Sequence, residues 1–222
     1  SEQLGNPPFV LIQQMQQMYD VRLLVFDAEE IPPNADILMV LHPFNLPSRT
    51  KYAIDQHVLA GKPAIFFVDP FAEASPTDPQ NPTKWLFPKS QLPSLFEKWG
   101  IEMPDQSVVG DTQMALRISG FGGPQRIVTD YLPWLRVGEQ AFNKDEVITS
   151  QLQLMRMTSV GTLRPTGNDE IDFVPLIQSS RDSNLIDVLD VRRRGDPNIL
   201  IEAFEATGIR QNLATTIYNL AN

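Results

Sequence analysis

The sequence predicts an α/β protein with a Rossmann-like or flavodoxin-like, mostly parallel sheet flanked by helices, and a more β-rich second half. Three apolar runs support this prediction: VRLLVF at 21–26, ILMVL at 37–41 and AIFFV at 64–68. Runs that are apolar on both faces are typical of parallel strands that helices cover. An amphipathic helix separates the second and third runs, and the order strand, strand, helix, strand is that of an α/β core.

Two helices are predicted in this core. The first lies at 7–20, where apolar residues recur near helical spacing after two prolines, which the first turn of a helix tolerates. The second lies at 47–61, begins at Pro47 and has Gly61 just past its end.

The helix at 47–61 has an inner and an outer face. We expect Tyr52, Ile54 and Val58 to pack it onto the sheet, where each buried large apolar side chain contributes about 1.5–3 kcal/mol. Asp55 and Gln56 are expected on the outer side, where they are available to solvent or to a partner.

The rest of the chain shows weaker patterns. Residues 72–93 carry five prolines and little periodicity, which predicts a long surface loop. Gly100 closes a short predicted helix at 92–100. Four strands are predicted at 114–118, 134–137, 173–177 and 185–191. A last helix is predicted at 197–208.

Neither an internal repeat nor a linker divides the chain. We therefore predict a single domain over 1–222. Its expected parts are a core at 7–110 that includes the proline-rich loop at 72–93, and a β-rich extension at 111–222.

Composition excludes several classes of function. The formal net charge is −9 and the sequence pI is near 4.7, which argues against nucleic-acid binding and against a polybasic membrane patch. The chain has no cysteine and two histidines, so thiolate chemistry is excluded and we predict no metal site and no cofactor. No apolar run reaches the length of a membrane span. The start, SEQ, is neither an initiator Met nor a signal peptide, so we expect targeting segments to lie outside this chain.

His42 and Asp69 are the strongest polar candidates, because each follows an apolar strand and precedes a proline, Pro43 or Pro70. Ligands of open α/β sheets bind at the carboxyl ends of the strands. If the two strands are neighbours, His42 and Asp69 lie on one rim. A His–Asp pair without a nucleophile or a metal is incomplete, and Asp-Pro also ends strands for local reasons. A structural or partner-contact role is therefore favoured over catalysis.

Other polar segments do not match known catalytic patterns. The glycine-rich SGFGGPQR (119–126) lacks the following helix that a phosphate cradle needs, so it is interpreted as a turn. The basic run RRRGD (192–196) is flanked by acids and is interpreted as a solvated edge. The sequence contains no recognisable enzyme signature, and no catalytic residue is predicted.

One segment, IPPNADILMVLHPFNLPSRTKYAIDQHVLAGKPAIFFVDPFAE (31–73), resembles a known family. An IP turn, a strand ending in proline, a YAIDQ helix and an F-x-DP strand end follow in the order seen in the auxiliary component of uncharacterised ABC-type transport systems, which includes gliding-motility auxiliary proteins. The segments at 148–163 and 173–180 are similar more loosely. Lys62 and His57 depart from the family pattern, where a glycine and an aromatic residue are usual.

The resemblance implies a periplasmic or otherwise extracytoplasmic domain, anchored to the inner membrane by segments outside this chain. It implies an ABC permease and an ATPase as partners, and it transfers no catalytic residue. We therefore expect a non-enzymatic auxiliary domain whose contact candidates are His42, Pro43, Asp55, Gln56, Asp69 and Pro70. Two alternatives remain open. One is a hydrolase or transferase that uses Asp69 and His42 on an amidotransferase-like fold, and the other is a glycan- or lipid-binding module at a crevice between Pro43 and Pro70.

Overall fold

A computed structural model describes residues 10–90, 92–121, 127–167, 171–192 and 197–220. The helices are α1 Val10–Gln16, α2 Ser48–Leu59, α3 Pro93–Lys98, α4 Val147–Ser150, α5 Val188–Arg192 and α6 Pro197–Glu202. The strands are β1 Leu38–Leu41, β2 Ala64–Phe67, β3 Thr77–Asp78, β4 Asn81–Trp85, β5 Ile101–Glu102, β6 Ser107–Asp111, β7 Ala115–Phe121, β8 Ile127–Gly138, β9 Leu154–Thr158, β10 Arg164–Pro165, β11 Asp172–Gln178, β12 Ser183–Asp187 and β13 Asn212–Tyr218.

The β1–α2–β2 unit confirms the local predictions for 37–68. Strands β1 and β2 pair in parallel, from Leu38 opposite Ala64 to Leu41 opposite Phe67. Helix α2 connects them, and Gly61 follows its end with φ +74°, a left-handed conformation that glycine adopts without steric cost. This unit sets the positions of the two strand exits.

The predicted Rossmann-like, mostly parallel sheet is wrong. In the described residues the only parallel pairing joins β1 and β2, and all other ladders are antiparallel. These ladders are the pairs β3–β4, β5–β10, β6–β12 and β11–β13, and the three-stranded sheet β7–β8–β9. An apolar run favours burial of a strand but does not specify the direction of its partner strand, because antiparallel strands in small packed sheets can also be apolar.

Several predicted elements differ from the structure. Residues 21–26 form no strand, and Leu23, Val25 and Phe26 are exposed. The predicted loop at 72–93 contains the antiparallel pair β3–β4. The predicted strand at 185–191 divides into the end of β12 and helix α5, while the last predicted helix stops at Glu202. An apolar run forms a strand only where the backbone of another strand pairs with it by hydrogen bonds, and no described strand pairs with 21–26.

Three clusters of buried side chains hold the elements together. The first lies between β6, β8, β11 and β13 and includes Leu135 and Val137. The second joins β1 and α2 to α3 through Leu38, Ile54 and Trp99. The third packs Phe71, which follows the β2 exit, against elements of the second half. The β2 exit is therefore enclosed on one side by the core.

No helix in the described segments is long and apolar enough to span a bilayer. Two segments interpreted from the sequence fall largely outside the described residues. These are 122–126 of the glycine-rich run and 193–196 of the basic run.

Candidate functional site

The exits of β1 and β2 bring His42 and Asp69 together. Because parallel strands end at the same edge, the residues that follow them are neighbours. Nδ1 of His42 lies 3.4 Å from Oδ2 of Asp69, and the two side chains are 35% and 24% exposed. The expectation that the two residues share a rim is confirmed.

The rim is fixed by backbone hydrogen bonds. The His42 N–H donates to the Phe67 carbonyl at 3.0 Å, although His42 itself has φ +44°. Positive φ is uncommon for a residue with a Cβ and often marks a strained position. The exit of β1 is therefore held in a defined turn over β2.

Ser90 closes the cluster from the segment before α3. Its Oγ accepts the Asp69 N–H at 2.8 Å and lies 3.4 Å from Nδ1 of His42, while its own N–H donates to the Asp69 carbonyl at 2.9 Å. Ser90 is 1% exposed. Sequence reasoning missed Ser90, because a serine in a proline-rich segment gives no signal of a contact 21 residues away.

Glu73 extends the cluster into the second half of the chain. It accepts a hydrogen bond of 2.8 Å from Nε1 of Trp134 in β8 and a short one from Oγ of Ser159, just after β9. Glu73 was also missed as a site residue, because its partners Trp134 and Ser159 lie 61 and 86 positions away in the sequence. The carboxylate connects the β2 exit to the sheet β7–β8–β9.

The pKa values in the cluster are shifted toward the uncharged forms. Burial and, to a smaller extent, the nearby negative charge of Glu73 together raise the pKa of Asp69 to about 7. Burial also lowers the pKa of His42. A 3.4 Å ion pair alone would shift both pKa values in the opposite directions, so desolvation outweighs the mutual attraction of the two charges.

The arrangement does not form a nucleophilic triad. In a triad the two ring nitrogens of the histidine contact the nucleophile and the acid separately. Here Ser90 and Asp69 both approach the same nitrogen, Nδ1 of His42, and the Ser90 hydroxyl is shielded from solvent. What the geometry allows is proton exchange between Asp69 and a partly exposed imidazole.

The remaining candidates from the sequence are dispersed. Asp55 was expected on the outer side of α2, but it is buried and accepts a hydrogen bond from Nε1 of Trp99, so that expectation is wrong. Tyr52 was expected to pack inward but is exposed, so that expectation is also wrong, whereas Gln56 is exposed as expected. A polar side chain beside the packed face of a helix can be buried when a buried group forms a hydrogen bond with it.

The alternative of a glycan- or lipid-binding module placed a crevice between Pro43 and Pro70, and the structure separates these two residues. Pro70 is fully buried, and Pro43 lines a separate cleft between the starts of α2 and α3. Within the described residues, no group of three or more His, Asp or Glu side chains is placed to hold a metal ion.

The fold and the site define a mixed α+β domain in which a polar cluster ties two parallel strand exits to an antiparallel second half. The family model for an ABC-type uncharacterized transport system matches residues 2–218. The chain belongs to this family, which is an auxiliary component of an ABC-type transport system. Searches of curated proteins and of solved structures find no significant match.

Proposed function

We propose that this chain is a non-enzymatic, extracytoplasmic domain of its transport system, similar to gliding-motility auxiliary proteins, and that it contacts the permease subunit. Membership of the family supports association with an ABC-type transport system. The permease is the subunit that an extracytoplasmic domain reaches, and the ATPase is its partner across the membrane. Anchoring to the inner membrane is assigned to segments outside this chain.

The concentration of exposed large apolar side chains in the first 70 residues is the observation on which the proposed contact rests. Exposed large apolar side chains here are Val10, Leu11, Met18, Tyr19, Leu23, Leu24, Val25, Phe26, Ile37, Tyr52, Leu59, Ile65 and Phe67. Contiguous exposed apolar side chains are typical of interaction sites. Four of these side chains are aromatic, and buried aromatic residues often dominate the binding energy of interfaces.

Strand β2 shows this exposure of apolar side chains most clearly. Phe66 faces the second core cluster, whereas Ile65 and Phe67 on either side of it are each 43% exposed. One face of the β1–β2 pair is thus packed and the other remains open to a partner. A permease subunit with an apolar extracytoplasmic surface would bury this open face.

Site-specific photo-crosslinking in cells that carry the full-length protein and its transport system tests the proposal. A photo-reactive residue at Phe67 is expected to crosslink to the permease, identified by mass spectrometry of the crosslinked peptide. The control position is Val147 of α4, which is 90% exposed and lies on another element. Equal permease crosslinking from both positions, or none from Phe67, would overturn the proposed contact.

Added protease tests the proposed location separately. In spheroplasts, an extracytoplasmic domain is expected to be cleaved while a cytoplasmic control protein stays intact. Protection of this domain until the membrane is lysed would place it in the cytoplasm and refute the assignment.

A second candidate function, acid–base catalysis by Asp69 and His42, is favoured by the raised pKa of Asp69 at a partly exposed rim. A hydrolase or transferase of this kind would lose turnover in Asp69→Asn and keep its melting temperature. The shielded Ser90 hydroxyl and the single shared imidazole nitrogen make this the weaker candidate.

A further inference from the structure

A cleft of about 200 Å³ lies beside the strand-exit cluster, between the starts of α2 and α3. Its walls include the apolar side chains of Phe44, Leu46 and Leu92, and its polar groups come from Asn45, Lys51 and Lys89. Phe44 also packs on Phe87 with ring centroids 5.0 Å apart, which provides the cleft with a supported aromatic wall.

The two lysines of the cleft differ in their partners. Nζ of Lys89 lies 2.5 Å from Oδ2 of Asp105, so its charge is balanced within the chain. Among the described residues, the side chains of Lys51 and Asn45 have neither an ion pair nor a hydrogen bond, and Lys51 is half-buried. Lys51 therefore places an unpaired ammonium on a half-buried side chain at the cleft, and such a group attracts an anion.

The size of the cleft limits what enters it. An apolar cavity of about 150 Å³ holds one benzene ring, whereas small-molecule sites occupy about 300–1,000 Å³. The cleft at 200 Å³ therefore takes one aromatic or branched aliphatic group with a carboxylate at its edge. Within a peptide, such a group is an apolar side chain next to an acidic residue, and single anchored side chains of this kind are typical hot spots.

We propose that this cleft binds an acidic peptide segment of a protein partner, with an apolar side chain between Phe44 and Leu92 and the adjacent carboxylate on Lys51 and Asn45. The proposal rests on the proposed function only in assigning the peptide to a component of the transport system. The exposed apolar side chains of β2 then contribute contact area with the partner, and the cleft selects the sequence of the bound peptide.

NMR titration of the purified 222-residue chain with blocked tetrapeptides tests the proposal without the transport system. The probe is acetyl-Gly-Phe-Asp-Gly-amide, and acetyl-Gly-Phe-Asn-Gly-amide is the matched uncharged peptide. We expect the Asp peptide to shift the amide signals of 44–46 and of Leu92 and to bind about two- to fivefold more tightly than the Asn peptide, the gain of one partly exposed charge pair. Equal affinities for the two peptides would overturn the role of the carboxylate.

Two lysine variants separate the cleft from general charge. Lys51→Gln is expected to reduce the affinity for the Asp peptide to that for the Asn peptide. Lys62→Gln, which makes the same change of net charge away from the cleft, is expected to leave the affinity unchanged. Lys62 donates to the Pro33 carbonyl and does not line the cleft. Unchanged melting temperatures show that both variants fold.

Three results would contradict the proposal. Loss of affinity in both lysine variants would show long-range electrostatics only. Phenylacetate binding as tightly as the Asp peptide would assign the cleft to a small carboxylic acid. An absence of shifts at millimolar peptide would exclude the site. None of these results bears on whether Phe67 crosslinks to the permease, so failures of the two proposals are distinguishable.

Discussion

Nε1 of Trp99 donates a 3.0 Å hydrogen bond to Oδ1 of Asp55, and this bond joins the end of α3 to the middle of α2. Both residues are buried. Nζ of Lys98 lies 3.7 Å from the other carboxylate oxygen, Oδ2. A buried carboxylate thus has a neutral donor inside the core and a cation at its edge, which offsets the cost of removing it from water.

Breaking this bond from either side is expected to destabilise the protein. Asp55→Ala leaves the indole N–H without an acceptor, and Trp99→Phe leaves the buried carboxylate without its donor. Each variant is expected to lose about 1–3 kcal/mol of the free energy of unfolding, measured by urea denaturation. The double variant should lose less than the sum of the two. Gln56→Ala, on the exposed side of α2, is the control and is expected to change stability by less than about 0.5 kcal/mol. Strict additivity of the pair would show that the bond contributes nothing.

The pKa of Asp69 predicts a pH-dependent stability. A carboxyl whose pKa is raised from 3.8 to about 7 on folding stabilises the folded state fully below pH 3.8, and this contribution is lost as the pH rises through 7. Asp69→Asn removes that dependence. Between pH 5 and pH 8, the wild type is expected to lose roughly 2–3 kcal/mol more of its unfolding free energy than Asp69→Asn.

His42 opposes this trend in both proteins. Its lowered pKa gives stability that is present above 6.5 and lost as the pH falls through the lowered value, which partly offsets the trend from Asp69 between pH 5 and pH 8. Asp145→Asn, at an exposed position, is the control and should follow the wild type at every pH. Parallel curves for the wild type and Asp69→Asn would contradict the raised pKa. A uniform loss of stability in Asp69→Asn would indicate a purely hydrogen-bonding role.

Asp111 is expected to be among the most sensitive residues of the second half. Its fully buried carboxylate accepts hydrogen bonds from the backbone N–H groups of Gln113, Met114 and Ser180 and from the Ser180 hydroxyl, at 2.7–3.0 Å. Asp111→Ala leaves these donors buried and unpaired, so we expect a loss of about 3 kcal/mol or more in urea denaturation. Asp130→Asn, at an exposed position of β8, is expected to have little effect. A loss below about 1 kcal/mol in Asp111→Ala would refute the structural role.

Gly161 allows the β2 exit to pack against the segment after β9. A Cβ at this position would lie 2.9 Å from Cδ of Pro70 and 3.3 Å from Cγ of Met103. Gly161→Ala is therefore expected to lower the unfolding free energy by about 1–3 kcal/mol through overpacking. In the control, Gly138→Ala, the added Cβ meets the mobile end of the Gln140 side chain, so a smaller loss is expected. If both variants unfold at the same urea concentration, the contact of Pro70 with Gly161 is not tight.

The predictable parts of the fold are those whose causes are local. The apolar runs at 37–41 and 64–68 and the glycine at 61 were sufficient to locate β1, α2 and β2, and the proximity of His42 and Asp69 followed from parallel pairing. The rest of the cluster was not predictable. Ser90 reaches Asp69 from 21 positions away and Ser159 reaches Glu73 from 86, and neither pair has a sequence pattern of its own.

By itself, the sequence determined the membership of a transport-system family, the absence of thiol chemistry and the positions of the two strand exits. Only the tertiary structure decided the direction of most strands, the burial of Asp55 and the exposure of the run at 21–26. The physical reason is that the polarity of a residue determines which environment favours it, whereas the fold of the whole chain determines which residues it contacts. A strand requires a second strand with unpaired backbone groups, and a carboxylate can be buried only where distant segments supply hydrogen-bond donors to it.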